Sequence, residues 1–254
     1  MGAGRVEARY TLTSAWTGTA TTSLGGPSTW TVAAGTYYGT TLRAAFQAAL
    51  RAARTPATWL VTCDDGEGGT GRVSIAQGTA GTWSIAWTST DLRDALGFTG
   101  NITSVSTTQT STNAMKGVWL PDSPLVLPTD DDAGFTHSDL RQSISPTGDV
   151  YSVVSNLRRE WANGCSWSHV SKERFIGSAA YPMSWRQFVR DTQLGTLGYF
   201  PAASRVALYS NATNSTLVGY YNMIGVDKNA GDQAVQGWAG RWRVAVPRLI
   251  NQVS

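Results

Sequence analysis

Only two histidines and two cysteines occur among 254 residues, so for imidazole or thiolate chemistry their spacing is decisive. His137 and His169 lie far apart. Neither belongs to a Gly-x-Ser-x-Gly elbow, which would present a serine nucleophile, or to a His-Glu-x-x-His helix, which would hold a catalytic zinc. Cys165 and His169 stand four apart, but the hairpin-turn signal Asn163-Gly164 just before them predicts a strand, where that spacing has no special geometry. Cys63 and Cys165 lie outside any paired-cysteine pattern, so free thiols are expected ahead of a disulfide, and a disulfide ahead of a metal site. Glu67 sits in a glycine-rich stretch from Asp64 to Gly71 that lacks the Lys-Ser/Thr ending of a phosphate loop and reads as a hairpin loop. Asp130, Asp131 and Asp132 could face calcium, but no glutamate follows at the EF-hand step, and a solvated acidic loop is expected. Glycoside hydrolysis requires only two carboxylates, for which Glu160 and Glu173 are the candidates beside the tryptophans. Taken together, these residues predict a chain that is not an enzyme and carries no cofactor or metal.

Composition points elsewhere. Charged residues make up 15% of the chain, against roughly 25% in an average soluble protein. Ser, Thr and Gly take their place, giving the weakly charged polar surface of β-rich assemblies that meet neighbours over much of their area. The net charge is +3, with basic residues scattered apart from Arg158-Arg159 and Arg241-Trp-Arg243. That is not the dense stripe of a specific nucleic-acid binder. Residues 1–7 contain no apolar signal region, and no apolar run approaches the roughly 20 residues that span a bilayer. A soluble chain made in a cytoplasm, without membrane insertion, is therefore expected.

Eleven tryptophans dominate the large side chains. Tryptophan serves cores, protein interfaces and sugar platforms alike. Trp59, Trp83 and Trp87 lie in strand-like segments and read as core. Trp119 lies beside Leu120 and Pro121 in an extended segment, and Trp238 between Gly237 and Ala239. With Trp242 of the closing strand, these residues are the interface candidates, and Trp119 or Trp238 could instead serve as a sugar platform.

The elements that must position these residues follow from periodicity. Trp83, Ile85 and Trp87 alternate with small residues as in a half-buried strand. Thr88, Ser89 and Thr90 offer N-caps for a short helix with Leu92, Ala95 and Leu96 on one face, Gly97 stops it, and Phe98 folds back over it. Upstream, strands are predicted over 5–12 and 30–33, with Gly25-Gly26-Pro27 as a turn and a Thr/Gly-rich stretch before it. A helix capped by Thr40 or Thr41 and ending at Ala53 carries Leu42, Ala45, Phe46, Ala49 and Leu50 at helical spacing. Strands follow at 59–63 and 73–76. The chain over 101–113 is mostly Ser, Thr, Asn and Gln and reads as a linker or an extended surface strand. Beyond it come the proline-punctuated segment 116–127, a strand at 150–154, and a hairpin at Asn163-Gly164 flanked by Trp161 and Trp167. Ser184 caps a helix over 185–191, and strands are predicted at 206–209, 217–225 and 241–246. The expected fold class is α+β and β-rich. A small sheet-plus-helix module (1–100), a polar linker with an extended Pro/Trp segment (101–127) and a mainly antiparallel β domain with one helix (128–254) make up the chain.

Several of these features resemble virion structural proteins of tailed bacteriophages. Tyr37-Tyr38 leading into the helix, with the ending Leu96-Gly97-Phe98, looks like a small module of virus-particle proteins. Trp185-x-x-Phe188-x-x-Asp191, the strands Val206-Ala-Leu-Tyr209 and Tyr220-Tyr221, and the closing Trp242-Arg-Val-x-Val-Pro-Arg-Leu249 resemble distal tail and baseplate proteins. The resemblance implies a homo-oligomeric ring subunit in the virion, joining the tail tube to host-recognition parts and partnered by other tail proteins. It implies interface residues and carries over no catalytic ones. The polar stretch and the long amino-terminal module depart from a minimal distal-tail subunit. A head decoration or neck protein, or a module binding host-surface glycan, are the alternatives.

Overall fold

Alternation of bulky and small residues shapes the amino-terminal half into short strands: β1 (Arg5–Ala8), β2 (Tyr10–Leu12), β3 (Trp16–Thr22), β4 (Gly25–Val32) and β5 (Gly35–Tyr37). The structure is a computed structural model, and it describes residues 4–23, 25–53, 58–66, 68–127, 133–144, 150–161, 164–181, 183–202, 204–210, 216–224, 226, 240–246 and 248–252. The Thr/Gly-rich stretch is itself a strand, β3, which buries Trp16, Gly18, Ala20 and Thr22 in strict alternation. Pairing of Thr22 with Gly25 moves the chain reversal ahead of the glycines, so Gly25-Gly26-Pro27 opens β4 instead of forming the turn. Proline is tolerated there because β4 is an edge strand.

Helix α1 (Gly39–Ala53) buries Leu42, Phe46 and Leu50, one residue per turn. It packs on β4 and on β6 (Trp59–Cys63), and the Phe46 ring sits 5.1 Å from Trp30 and 5.4 Å from Trp87. β7 (Arg72–Gln77) and β8 (Trp83–Trp87) lead to α2 (Thr90–Ala95). That helix ends as its residues dictate. Gly97 takes φ +84°, its N–H bonds to the Asp94 carbonyl at 3.1 Å, and the Phe98 N–H reaches back to Arg93 at 3.0 Å. Phe98 then stacks on Trp87 with centroids 5.7 Å apart. Ser89 stands at the N-cap but leaves α2 uncapped by its side chain, because its Oγ accepts the Thr17 N–H at 2.9 Å and ties the helix start to β3.

Of the two forms expected for the polar stretch after residue 100, the structure shows the extended strand and not the linker. The stretch forms β9 (Ile102–Val105), which pairs with β8, and β10 (Gln109–Ala114), which pairs with β7. Both are edge strands, where the backbone ladder supplies the order and few side chains need be apolar. The remaining elements are β11 (Val118–Trp119), β12 (Leu125–Val126), β13 (Ala133–Ile144), β14 (Val150–Trp161), β15 (Cys165–Ser171), α3 (Lys172–Ile176), α4 (Trp185–Thr192), β16 (Val206–Tyr209), β17 (Leu217–Ile224), β18 (Arg241–Val246) and β19 (Arg248–Gln252). Ser184 caps α4 by accepting the Gln187 N–H at 3.1 Å. The second half thus has a short helix, α3, besides the expected α4.

Among the described residues the strands form antiparallel sheets ordered β4-β3-β8-β9, β10-β7-β6, β2-β5, β12-β15-β18 and, with seven strands, β11-β1-β16-β17-β19-β14-β13. The fold is α+β and β-rich, as the sequence predicts. Two further features differ from the expectation. First, β1 lies between β11 and β16, so the first strand is built into the sheet of the second half. The N–H groups of Arg9 and Thr11 extend that seam to the Arg205 and Tyr199 carbonyls at 2.7 and 2.9 Å. Second, the strands flanking Gly164 do not pair as a hairpin. Trp161 on β14 is opposite Ala133 and Leu249, whereas Trp167 on β15 is opposite Leu125 and Val244. Gly164 does take φ +53°, but it passes the chain from one sheet to another.

Candidate functional site

The interface candidates Trp119, Leu120 and Pro121 are buried in the chain's own core. Trp119 has no exposed surface; its ring lies 5.0 Å edge-on to Trp167 and 4.6 Å from Trp185, and its Nε1–H donates to the Arg174 carbonyl at 3.1 Å. An extended Trp-Leu-Pro segment has no periodicity to tell inward from outward, which is why the sequence left the choice open. The enclosed ring offers no sugar platform. Trp242 is half-buried, stacked on Phe175 at 5.1 Å. Trp238 lies outside the described residues.

A buried ionic cluster ties β1 to the start of α1. Glu7 has no exposed surface; Oε2 accepts the Thr40 N–H at 3.0 Å and Oε1 the Thr40 hydroxyl at 2.7 Å, while Arg5 Nε stands 3.0 Å from Oε1. Arg5 also reaches Asp65 at 3.1 Å, which Arg43 meets at 2.6 Å, and its guanidinium lies 4.3 Å over the Tyr209 ring. Glu7 thereby serves as a cap from a distant strand, satisfying an orphan donor of the first turn. Gly39 permits the approach, since a Cβ there would stand 2.6 Å from Val118 Cγ2. Every member is engaged, so the cluster is a structural joint.

The histidines, cysteines and candidate carboxylates are dispersed. His137 on β13 is paired with Leu157. The His169 N–H donates to Ser123 Oγ at 3.1 Å, and its carbonyl accepts from Arg241 at 3.1 Å. Cys63 is half-buried, Cys165 is buried, and both are free thiols; burial pushes the Cys165 pKa up, away from thiolate reactivity. Glu160 is paired with Gly134 and Ile250, and Glu173 is exposed on α3. Glu67 and Asp130–Asp132 lie outside the described residues. Among the described residues, no group of three or more His, Cys, Asp or Glu could hold a metal ion.

A concave site does form where α2 and Phe98 face residues 196–199. The cleft, about 430 Å³, is lined by Asp91, Asp94, Asn113, Lys116, Thr196 and Tyr199 among others. Asp94 pairs with Arg93 at 2.9 Å. Lys116 Nζ stands 3.9 Å from Asp191, a buried carboxylate that accepts from Gln187 Nε2 at 2.7 and 2.6 Å. Tyr199 is 6% exposed, and its hydroxyl has no hydrogen-bond partner among the described residues. A buried donor left so costs about 1–3 kcal/mol. Burial above all, and then the charges of Asp191, Asp94 and Asp91, hold its pKa well above the ordinary phenol value, so it remains a donor. A second cleft, about 300 Å³, adjoins the first at Phe98 and Thr99 and is lined by Asn101, Thr103, Gln109, Thr110 and Thr112 among others. Nothing in the sequence spacing marks Asp91, Asp94, Lys116 and Tyr199 as neighbours, because pairing of distant strands brings them together.

Compared with models of protein families, with curated proteins and with solved structures, the chain matches none.

Proposed function

We propose that this chain is a structural subunit of a tailed-bacteriophage particle, placed at the tail tip or baseplate as a distal-tail ring subunit. The observation that supports this reading is the outer end of the seven-stranded sheet. β13 and β14 pair along their full twelve-residue lengths, from Ala133 opposite Trp161 to Ile144 opposite Val150. β19 joins only at Arg158–Trp161. Among the described residues, 139–144 and 150–155 therefore continue as a two-stranded ribbon beyond the third strand. Such a ribbon is marginal alone, and among the described residues its outer strand has no second ladder partner. Assembly with a neighbour supplies what the isolated chain lacks. The resembling segments also sit on consecutive elements, α4, β16, β17, β18 and β19.

The test is immunogold electron microscopy of intact phage particles carrying this chain, alongside negative-stain microscopy of the purified protein. Label at the tail tip and rings in the purified sample are the expected results. Label on the head would move the subunit to a decoration or neck role. Particles that stay unlabelled although the epitope is accessible would overturn the virion reading.

A further inference from the structure

We propose that β13 pairs, antiparallel and across a twofold axis at Leu140, with β13 of a second copy of this chain. This pairing rests on the reading of the β13–β14 ribbon as an assembly surface and names the neighbour that the ribbon meets. β13 is the last strand of the seven-stranded sheet, and it keeps one register on β14 from Ala133 opposite Trp161 to Ile144 opposite Val150. Four other edge strands carry features that hinder a further strand. β4 contains Pro27, which has no N–H to donate. The backbone of β6 is met by α1: the Val61 N–H donates to Gln47 Oε1 at 2.7 Å, and Arg51 Nε donates to the Trp59 carbonyl at 2.8 Å. β9 and β10 are irregular, with Ser104 of β9 at φ +50° and register shifts in both ladders. Prolines, cover and bulges are the devices that keep sheet edges from pairing. The β13–β14 ladder has no register shift.

Charge selects the partner and the register. Within 139–144 and 150–155 the sequence has two charged residues, Asp139 and Arg141. They stand two apart, at positions that share a face of a strand. The residues paired with them on β14 are the neutral Ser155 and Val153. With β13 laid antiparallel on its own copy and Leu140 at the axis, each Asp139 falls opposite Arg141 of the other copy. Ser138 then falls opposite Gln142, His137 opposite Ser143, and Thr136 opposite Ile144. An axis at Asp139 would instead oppose two aspartates, and an axis at Arg141 two arginines. Opposite charges directly across a ladder stabilise it, and like charges destabilise it. A strand that pairs with itself makes an isologous contact, which joins subunits in pairs. In a ring-forming protein it would bind one ring to a second.

Sedimentation velocity on the full-length protein over a range of concentrations is expected to show a dimer or an even-numbered assembly. Asp139→Arg and Arg141→Asp each place like charges across the axis, and each is expected to weaken association about tenfold or more. Asp139→Arg together with Arg141→Asp exchanges the two charges and is expected to restore it, which a mere loss of fold would not allow. If a single variant does not fold, cross-linking decides. In a Cys63→Ser background, with Cys165 buried, Leu140→Cys is expected to form a disulfide with its own counterpart under mild oxidation. Ser143→Cys is not, since in this register its two copies lie roughly 20 Å apart. A protein that stays monomeric or associates in odd numbers, association indifferent to the charge reversals, or cross-linking at Ser143→Cys in place of Leu140→Cys would overturn the proposal. The immunogold result bears on the virion reading alone, so the two fail separately. A twofold dimer without label on particles upholds this pairing, and label without such a dimer sinks it.

Discussion

Glu7→Ala is the substitution that tests most directly how the two halves are joined. The carboxylate is fully buried, takes two hydrogen bonds from Thr40 and neutralises Arg5, itself 1% exposed. Its removal leaves the Arg5 guanidinium with Asp65 as its carboxylate partner among the described residues, and strips α1 of its cap. Breaking a buried ion pair from one side costs about 3–5 kcal/mol, within which the lost cap accounts for roughly 0.5–2 kcal/mol. At about 2–4 °C per kcal/mol for a chain of this size class, the Tm is expected to fall by roughly 6–20 °C. Glu7→Gln keeps the volume and an acceptor for the Thr40 amide, so a smaller loss of about 1–3 kcal/mol is expected. Replacing Arg5 and Glu7 together by Met and Leu is expected to recover part of the single-variant loss, because no charge is then left without its opposite. Urea denaturation followed by tryptophan fluorescence measures all three. A Glu7→Ala protein within about 1 kcal/mol of the parent would refute the claim that this joint holds β1 and α1 together.

Three further outcomes follow from the packing and from the buried phenols. Trp119→Ala is expected to cost about 3–5 kcal/mol in urea denaturation, as a large core deletion does; a fully stable variant defective only in assembly would return Trp119 to an interface. Gly97→Ala puts a side chain at φ +84° and a Cβ 2.2 Å from the Asn113 carbonyl oxygen, so a loss beyond the roughly 1–2 kcal/mol of left-handed strain is expected by thermal melting. Unchanged stability would show that the α2 stop does not need glycine. Burial first, with neighbouring charges, raises the pKa of Tyr10 and Tyr199 above the ordinary value of 10.0. Below that value both folded and unfolded phenols stay protonated and contribute nothing to the pH dependence. Above it the unfolded phenols ionise first, so stability is expected to fall by about 1.4 kcal/mol per pH unit for each tyrosine until the folded form ionises too. Tyr199→Phe should remove one such share from the slope of urea midpoints across alkaline pH, and an unchanged slope would refute the assignment.

What could be read from the sequence divides by range. The α2 stop was legible because all of its determinants lie within a few residues: an αL glycine, the Phe98 amide reaching one turn back, and an aromatic to cover it. The same holds for Ser184 and α4, and for Leu42, Phe46 and Leu50 on α1. Asn163-Gly164 misled because a turn dipeptide specifies a reversal of direction and not the strand that pairs afterwards. In β14 and β15 the partners were chosen by β13, β19, β12 and β18, all remote in sequence. Polar composition over 101–113 left linker and extended surface strand both open for a related reason, since an edge strand draws its order from the neighbouring backbone.

The candidate cleft lies at the illegible extreme, and the same topology explains why. Lys116 belongs to the turn between β10 and β11, and its N–H bonds to the Ala95 carbonyl at 2.8 Å, which brings it beside α2. Tyr199 is held from the other side by the Thr11 N–H, the continuation of the seam that places β1 in the large sheet. Tyr10, next to Thr11, donates its hydroxyl to the Lys116 carbonyl and stacks on Tyr199 with centroids 5.9 Å apart. One short segment, residues 10–11, therefore positions both the cation and the phenol of the cleft. The site and the joint between the halves depend on the same placement of the amino-terminal strands, so a substitution that loosens β1, such as Glu7→Ala, is expected to weaken any ligand of the cleft as well as the fold.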